Sequence, residues 1–236
     1  MGQVEPNVRG ELGRHPLARR FADEIARVHT RYADEVVTHF QLCPFLRDAE
    51  TGFGRFCVLL DLEPRLEEAL AAAREVESAV IHIVFPCVRT PGVPFERFAA
   101  RFGEELRRIF KQDTGAAGGL PGIPMPSKAP VLASFHPEMA GDESSSHRLV
   151  GLLRRAPDPF IQLIPPGLSS GGTVFAGAGV DPGEDPVEAT FTRLQSSGFG
   201  ALRAKIEEIH ADRDASYAPY LEALGLAGPG PRFDGG

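Results

Sequence analysis

Short apolar runs alternate along this chain with stretches of helical periodicity, and this alternation restricts the fold more than any other feature. Strand-like runs occupy residues 55–61, 78–85, 131–136 and 159–164. Helical spacing of apolar residues covers 16–42, 64–77, 94–111, 187–213 and 215–224. Strands that alternate with helices predict an α/β fold, in which a roughly four-stranded sheet is flanked by helices and the first helix is long.

The length of 236 residues fits one large domain or two small ones with a sizeable core, and a single domain is the simplest account. We predict a flexible arm over residues 1–15, a single α/β domain over 16–225 and a flexible tail over 226–236. Two loops rich in glycine and proline, 113–128 and 165–186, interrupt this domain. Unstructured loops of this length are uncommon in compact domains unless they are functional or disordered, so we expect both to act as lids.

The acidic balance of the chain restricts its partners and its location. A net charge of −7 and a pI of about 5.5 argue against a nucleic-acid or anionic-membrane partner. No apolar run reaches the roughly 18 residues that span a bilayer, and the N-terminus lacks the apolar stretch of a secretory signal. The three cysteines form neither a disulfide framework nor a zinc ribbon. We therefore expect a cytoplasmic protein with reduced thiols.

A histidine and a cysteine, each followed by proline, are the leading candidates for catalysis. The strand-like run from residue 131 ends at His136, because Pro137 offers no amide hydrogen to continue it. Ligands of open α/β sheets usually bind at the carboxyl ends of the strands. Cys43 lies at the end of the first predicted helix, directly before Pro44. We predict Cys43 and His136 as catalytic residues; the alternative is that the first packs in the core and the second is a structural histidine at its edge.

The same residues suggest a metal site. His39 and Cys43 are four residues apart and share one face of the predicted helix. Together with His136 they offer nitrogen and sulfur ligands that suit zinc or iron. The Cys-Pro and His-Pro pairs also offer axial ligands for a non-covalent haem. We predict a metal site of His136, Cys43 and His39 with iron or haem as the cofactor, and chance spacing is the alternative.

Arginines cluster after the strand that ends at His136. Arg148, Arg154 and Arg155 lie within eight residues of one another. A guanidinium group suits a carboxylate or a phosphate. We predict that Arg155 and Arg148 bind such a group on a small-molecule substrate, and the alternative for two of the three arginines is a surface ion pair.

Three short motifs resemble those of a known bacterial family. They are LCPF at residues 42–45, ASFHP at 133–137 and RAPDP at 155–159. In this order they are similar to the LCPF, ASFHP and RSPYP-like motifs of the bacterial domain-of-unknown-function family numbered fourteen-fifteen, and the resemblance covers residues 42–164. It implies kinship but no activity, because that family is named for lacking one. Gln162 and Pro165 stand where the family typically has a histidine and an arginine, so neither serves here as a base or an anion clamp.

Three hypotheses for the function follow. The first is a metal- or haem-dependent oxidoreductase that acts on a small polar molecule. The second is a metal-free, cysteine-dependent transferase or hydrolase. The third is a non-enzymatic module that binds a small molecule or a protein, in which Cys43 and His136 only stabilise the fold.

Overall fold

The computed structural model describes residues 5–40, 54–74, 80–115, 129–164 and 186–226. These residues form a single α/β domain, which confirms the predicted fold class. Five strands, rather than roughly four, are present among the described residues. Of the two predicted lids, residues 116–128 and 165–185 lie outside the described ranges, as do Cys43 and the tail from residue 227.

One mixed sheet forms the centre of the domain. Its strands, in chain order, are β1 (Asn7–Arg9), β2 (Arg55–Leu59), β3 (Ile81–Val84), β4 (Val131–Phe135) and β5 (Phe160–Ile164). Their spatial order is β1-β2-β3-β5-β4. Strands β1, β2 and β3 are parallel, and β5 is antiparallel to both of its neighbours. Strands β1 to β4 therefore point in one direction, and only β5 runs the opposite way.

The first three predicted helices lie close to their predicted bounds. The last two, predicted over 187–213 and 215–224, are divided at Gly198 instead, and residue 214 lies inside a continuous helix. Six α-helices are present among the described residues. They are α1 (Ala18–Arg31), α2 (Leu66–Arg74), α3 (Gly92–Gly115), α4 (Ser146–Leu153), α5 (Pro186–Ser197) and α6 (Phe199–Ala223). Helix α1 continues directly into a π-helical segment, Tyr32–Thr38. Gly198, whose φ of 109° lies in the left-handed region that favours glycine, separates α5 from α6. Among the described helices none is long and apolar enough to cross a lipid bilayer.

Side chains of each strand alternate between the two faces of the sheet, and each face has its own apolar core. Phe56, Val58 and Val84 pack in a cluster with α1, α4, α5 and α6, on what we term the α1 face. Leu59 and Ile83 pack with α2 and α3 on the opposite face, which we term the α3 face. A side chain on α1 and one on α3 are therefore separated by the sheet.

The N-terminal segment departs from the predicted flexible arm. Asn7–Arg9 pairs with β2 in parallel, and a 3₁₀ turn, Glu11–Arg14, follows it. With three residues, this strand is too short to show an apolar alternation in the sequence. It is held by pairing with β2, and Val8 is partly buried against the α1-face cluster.

Two glycines bring the loop after β4 into backbone contact with α4. A Cβ atom at Gly151 would overlap the carbonyl oxygen of Ala140, and one at Gly141 would overlap the amide of Leu152. Only glycine permits this approach, which fixes the path of the chain just beyond His136.

Candidate functional site

The carboxyl ends of β1 to β4 meet at one edge of the sheet, and β5 begins at this edge. Asp61 follows β2 by two residues, Cys87 follows β3 by three and His136 follows β4 directly. Asp158 lies two residues before β5. Because open α/β sheets usually bind ligands at the carboxyl edge, these residues define the candidate site.

Asp158 is the centre of a buried hydrogen-bonded network at this edge. The residue is fully buried, between the two prolines of the RAPDP segment. Its Oδ2 atom accepts hydrogen bonds from Nε2 of His29 at 3.1 Å and from the hydroxyl of Tyr217 at 2.9 Å. Its Oδ1 atom accepts from Nε of Arg213 at 3.0 Å. Helix α1 supplies His29 and helix α6 supplies the other two, so the network joins both ends of the domain to the sheet.

Arg213 and two hydrogen-bond donors keep the Asp158 carboxylate ionised. Burial disfavours the charged form of Asp158, but Arg213, His29 and Tyr217 outweigh it and hold the pKa of the carboxyl below its ordinary value. Burial and the Asp158 charge raise the pKa of Tyr217, so its hydroxyl stays protonated and donates. The Arg213 guanidinium also lies 4.8 Å from the centre of the Tyr217 ring and donates to the carbonyl of Pro86 at 3.2 Å.

The ionised carboxylate fixes the tautomer of His29. A carboxylate only accepts hydrogen bonds, so Nε2 of His29 carries the proton that it donates to Asp158. In the neutral imidazole the lone pair is then on Nδ1, to which no described residue donates a hydrogen bond. The rings of Phe56 and Phe160 flank the imidazole, with centroids at 6.0 and 5.4 Å. Nδ1 can therefore accept a proton or bind a metal ion.

Cys87, one of the two described cysteines, lies at the same edge of the sheet. Its thiol is buried, and burial together with the Asp158 charge raises its pKa to about 12. A nucleophilic cysteine needs a thiolate at neutral pH, and this thiol stays protonated there. Cys87 therefore serves as a small packing residue.

His136 lies at the predicted end of β4, but both of its ring nitrogens contact backbone groups. Nε2 donates to the carbonyl oxygen of Thr90 at 2.9 Å, and Nδ1 accepts from the amide of Glu138 at 3.0 Å. The ring packs against Phe95 of α3, and burial lowers the pKa of the imidazole. A catalytic or metal-binding role for His136 stays a prediction, and it requires one of these hydrogen bonds to break.

The two arginines predicted to bind substrate both have protein partners. Arg148 donates from Nε to the carboxylate of Asp142 at 2.6 Å, in an exposed ion pair. Arg155 donates to the carbonyl oxygens of Met139 at 3.1 Å and Gly141 at 3.0 Å. These contacts hold the loop between β4 and α4, and substrate binding by either arginine stays a prediction.

The predicted metal ligands are not brought together among the described residues. His39 is exposed at the end of the π-helical segment and contacts the ring of Phe40, which packs on the α1 face. His136 contacts α3 across the sheet. Cys43 lies outside the described residues, so the complete set of three stays a prediction. In the described part of the chain, no three His, Cys, Asp or Glu side chains lie close enough together to hold a metal ion.

Sequence reasoning did not single out the residues of the Asp158 network. Two weak signals were present: His29 lies on the apolar stripe of the first helix, and Asp158 is a charged residue directly before a buried strand. Charged residues are rarely fully buried unless they are paired, so an acid at this position indicates a buried cation. The sequence does not indicate that Arg213 is that cation.

The motifs at residues 133–137 and 155–159 lie among the described residues. The first contains the end of β4, and the second contains Asp158. Comparison of the chain with models of protein families, with curated proteins and with solved structures found no match. The family resemblance therefore stays a prediction from the motifs.

Proposed function

We propose that this chain is a small-molecule enzyme in which His29 acts as a general base and Asp158 orients it. The buried hydrogen bond between the two side chains supports this proposal, because it keeps the proton on Nε2 and the lone pair on Nδ1. The same division of roles between a carboxylate and an imidazole recurs in acid–base catalysis on unrelated folds.

The proposed step is removal of a proton from water or a substrate hydroxyl by Nδ1 of His29. The Asp158 carboxylate stabilises the imidazolium ion that forms, and Arg213 and Tyr217 keep this carboxylate ionised and in place. The deprotonated oxygen then attacks an acyl carbon or a phosphorus atom of the substrate, and the bond from this atom to the leaving group breaks with its electron pair. The His29 imidazolium returns the proton to the leaving group, as in a hydrolase or a transferase. We propose as substrate a small polar molecule with a carboxylate or phosphate group, and the cytoplasm as the location of the protein.

The substitution His29→Gln tests this role. The glutamine amide can still donate a hydrogen bond to Asp158, but it has no basic nitrogen. We expect the wild-type protein to accelerate hydrolysis of p-nitrophenyl acetate or p-nitrophenyl phosphate. The rate with the variant should be about 10²- to 10⁴-fold lower than with the wild type. The exposed His147 on α4 provides the control, and His147→Gln should keep the full rate. Equal rates for His29→Gln and the wild type would contradict the proposal.

A metal- or haem-dependent oxidoreductase is the second candidate. The same hydrogen bond favours it, because a metal-ligating histidine almost always donates its other ring N–H to a carboxylate, a carbonyl or water. An absorption spectrum and elemental analysis of freshly purified protein distinguish the two candidates. A Soret band or near-stoichiometric iron that disappears in His29→Gln would favour the oxidoreductase with His29 as a ligand. Loss of iron in His136→Ala alone would instead favour the predicted ligand set around His136.

A further inference from the structure

Arg154 differs from the other two arginines of its cluster because its guanidinium has no partner among the described residues. Its side chain is half-buried, yet within the described part of the chain its guanidinium donates no hydrogen bond and forms no ion pair. Arg148 and Arg155, by contrast, bind a carboxylate and two carbonyl groups. A half-buried cation that lacks a partner has lost part of its hydration without compensation.

The backbone of Arg154 fixes it at the carboxyl edge of the sheet. The residue ends α4, and its carbonyl oxygen accepts a hydrogen bond from the amide of His136 at 3.1 Å. The preceding carbonyl, that of Leu153, accepts from the hydroxyl of Tyr32 at 2.8 Å. Tyr32 lies one helical turn after His29. Arg154 is thus attached both to the end of β4 and to the turn that follows the proposed base.

Among the described residues, no carboxylate forms an ion pair with the Arg154 guanidinium. Burial lowers the pKa of the guanidinium, and Glu96 on α3 and Tyr32 on the first helix offset this only in part. The Glu96 side chain is exposed and forms no ion pair with Arg154 among the described contacts. An unbalanced charge in a partly dehydrated position costs stability, and proteins keep such groups mainly at functional sites.

We propose that Arg154 binds the oxyanion of the substrate, a carboxylate or a phosphate, through its guanidinium. The planar group presents paired N–H donors that match two oxygens of either anion. This proposal rests on the proposed function, since it names the residue that would hold the anionic group of the proposed substrate.

The test measures the melting temperature of the full chain against inorganic phosphate and, separately, succinate, at constant ionic strength. Mass action predicts that at least one anion raises the Tm of the wild type. In Arg154→Met the apparent affinity for that anion should fall about tenfold or more. Without anion the same variant should melt no lower than the wild type, because a cation without a partner is removed. The anion that acts at the lower concentration identifies the group as a phosphate or a carboxylate.

Two further variants sharpen this test. Arg154→Lys keeps the charge but not the paired donors, so it should bind the anion more weakly than the wild type. Arg101→Met removes an exposed arginine on α3 and should leave the anion effect unchanged. An anion effect of equal size in Arg154→Met and the wild type, or none in the wild type, would overturn the proposal. His29→Gln should retain the anion effect, so a failure of the proposed base is distinguishable from a failure of the anion site.

Discussion

Replacing Asp158 with asparagine is the most direct perturbation of the buried network. The two side chains have the same shape, so the substitution removes a charge without creating a cavity. In the wild type Asp158 faces Arg213, whose side chain is 16% exposed. In Asp158→Asn this guanidinium remains mostly buried beside a neutral amide.

The expected loss is large because one partner of a buried ion pair remains. Removal of one member of such a pair costs about 3–5 kcal/mol. Domains of ordinary stability unfold with about 5–15 kcal/mol, so Asp158→Asn should fold but with a much reduced free energy of unfolding. Adding Arg213→Met removes the orphaned charge, and the double variant should be more stable than the sum of the single losses by about 1–3 kcal/mol.

Urea unfolding followed by circular dichroism at neutral pH measures these free energies. Asp214→Asn is a matched control, because Asp214 also accepts from Arg213, at 2.9 Å, but is 71% exposed. We expect this control to lose no more than about 1 kcal/mol. A loss below about 1 kcal/mol in Asp158→Asn, with no coupling to Arg213, would refute the view that the network stabilises the fold.

The pH dependence of stability gives a second measurement on the same variant. The pKa of Asp158 is lower in the folded protein than in the unfolded chain, so the unfolded chain binds its proton first as the pH falls. The stabilisation is thus present above the ordinary pKa of the carboxyl and is lost as the pH falls through the folded value. Asp158→Asn should show a flatter decline in stability over this acidic range.

Two other predictions concern the glycine contact and His136. Gly151→Ala places a methyl group on the carbonyl oxygen of Ala140, so we expect urea unfolding to show a free energy of unfolding that is lower by about 1–3 kcal/mol. The control is Gly200→Ala, which has open space around it and should raise the free energy of unfolding by up to about 1 kcal/mol. Equal stability of Gly151→Ala and the wild type would contradict the close approach. Burial lowers the pKa of His136, so an NMR titration should show that its imidazole is still neutral at pH values below the ordinary histidine pKa. The unfolded chain binds this proton first as the pH falls, so the protein should lose stability as the pH falls below that ordinary value. Titration of His136 at the ordinary value would contradict its burial.

The sequence predicted most of the strands because each has a clear local signal. Apolar runs at 55–61, 78–85, 131–136 and 159–164 contain β2 to β5, and prolines mark several of their ends. The first strand has no such signal, since Asn7–Arg9 is held by pairing with β2. The position of β5 between β3 and β4 also had no signal, because a strand buried on both faces lacks the alternation that would indicate its neighbours.

The site was less predictable than the fold, because periodicity shows which residues face the core but not what they meet there. The end of a strand at His136 was correctly located, since Pro137 marks it locally. The contact between His29 and Asp158 joins residues 129 positions apart. Arg213 and Tyr217 come from the last helix, whose docking depends on the packing of the complete α1 face.

Asp158 contributes to both stability and the proposed chemistry, so its own substitution cannot separate them. His29→Gln and Arg154→Met each leave the ion pair between Asp158 and Arg213 intact. A histidine with a purely structural role should be replaceable by glutamine, which still offers a donor to Asp158, with a loss of no more than about 1 kcal/mol and no loss of rate. An arginine with a structural role should destabilise the protein when it is removed. Loss of rate in His29→Gln, together with unchanged or higher stability in Arg154→Met, is a combination that a structural role for these two residues does not produce.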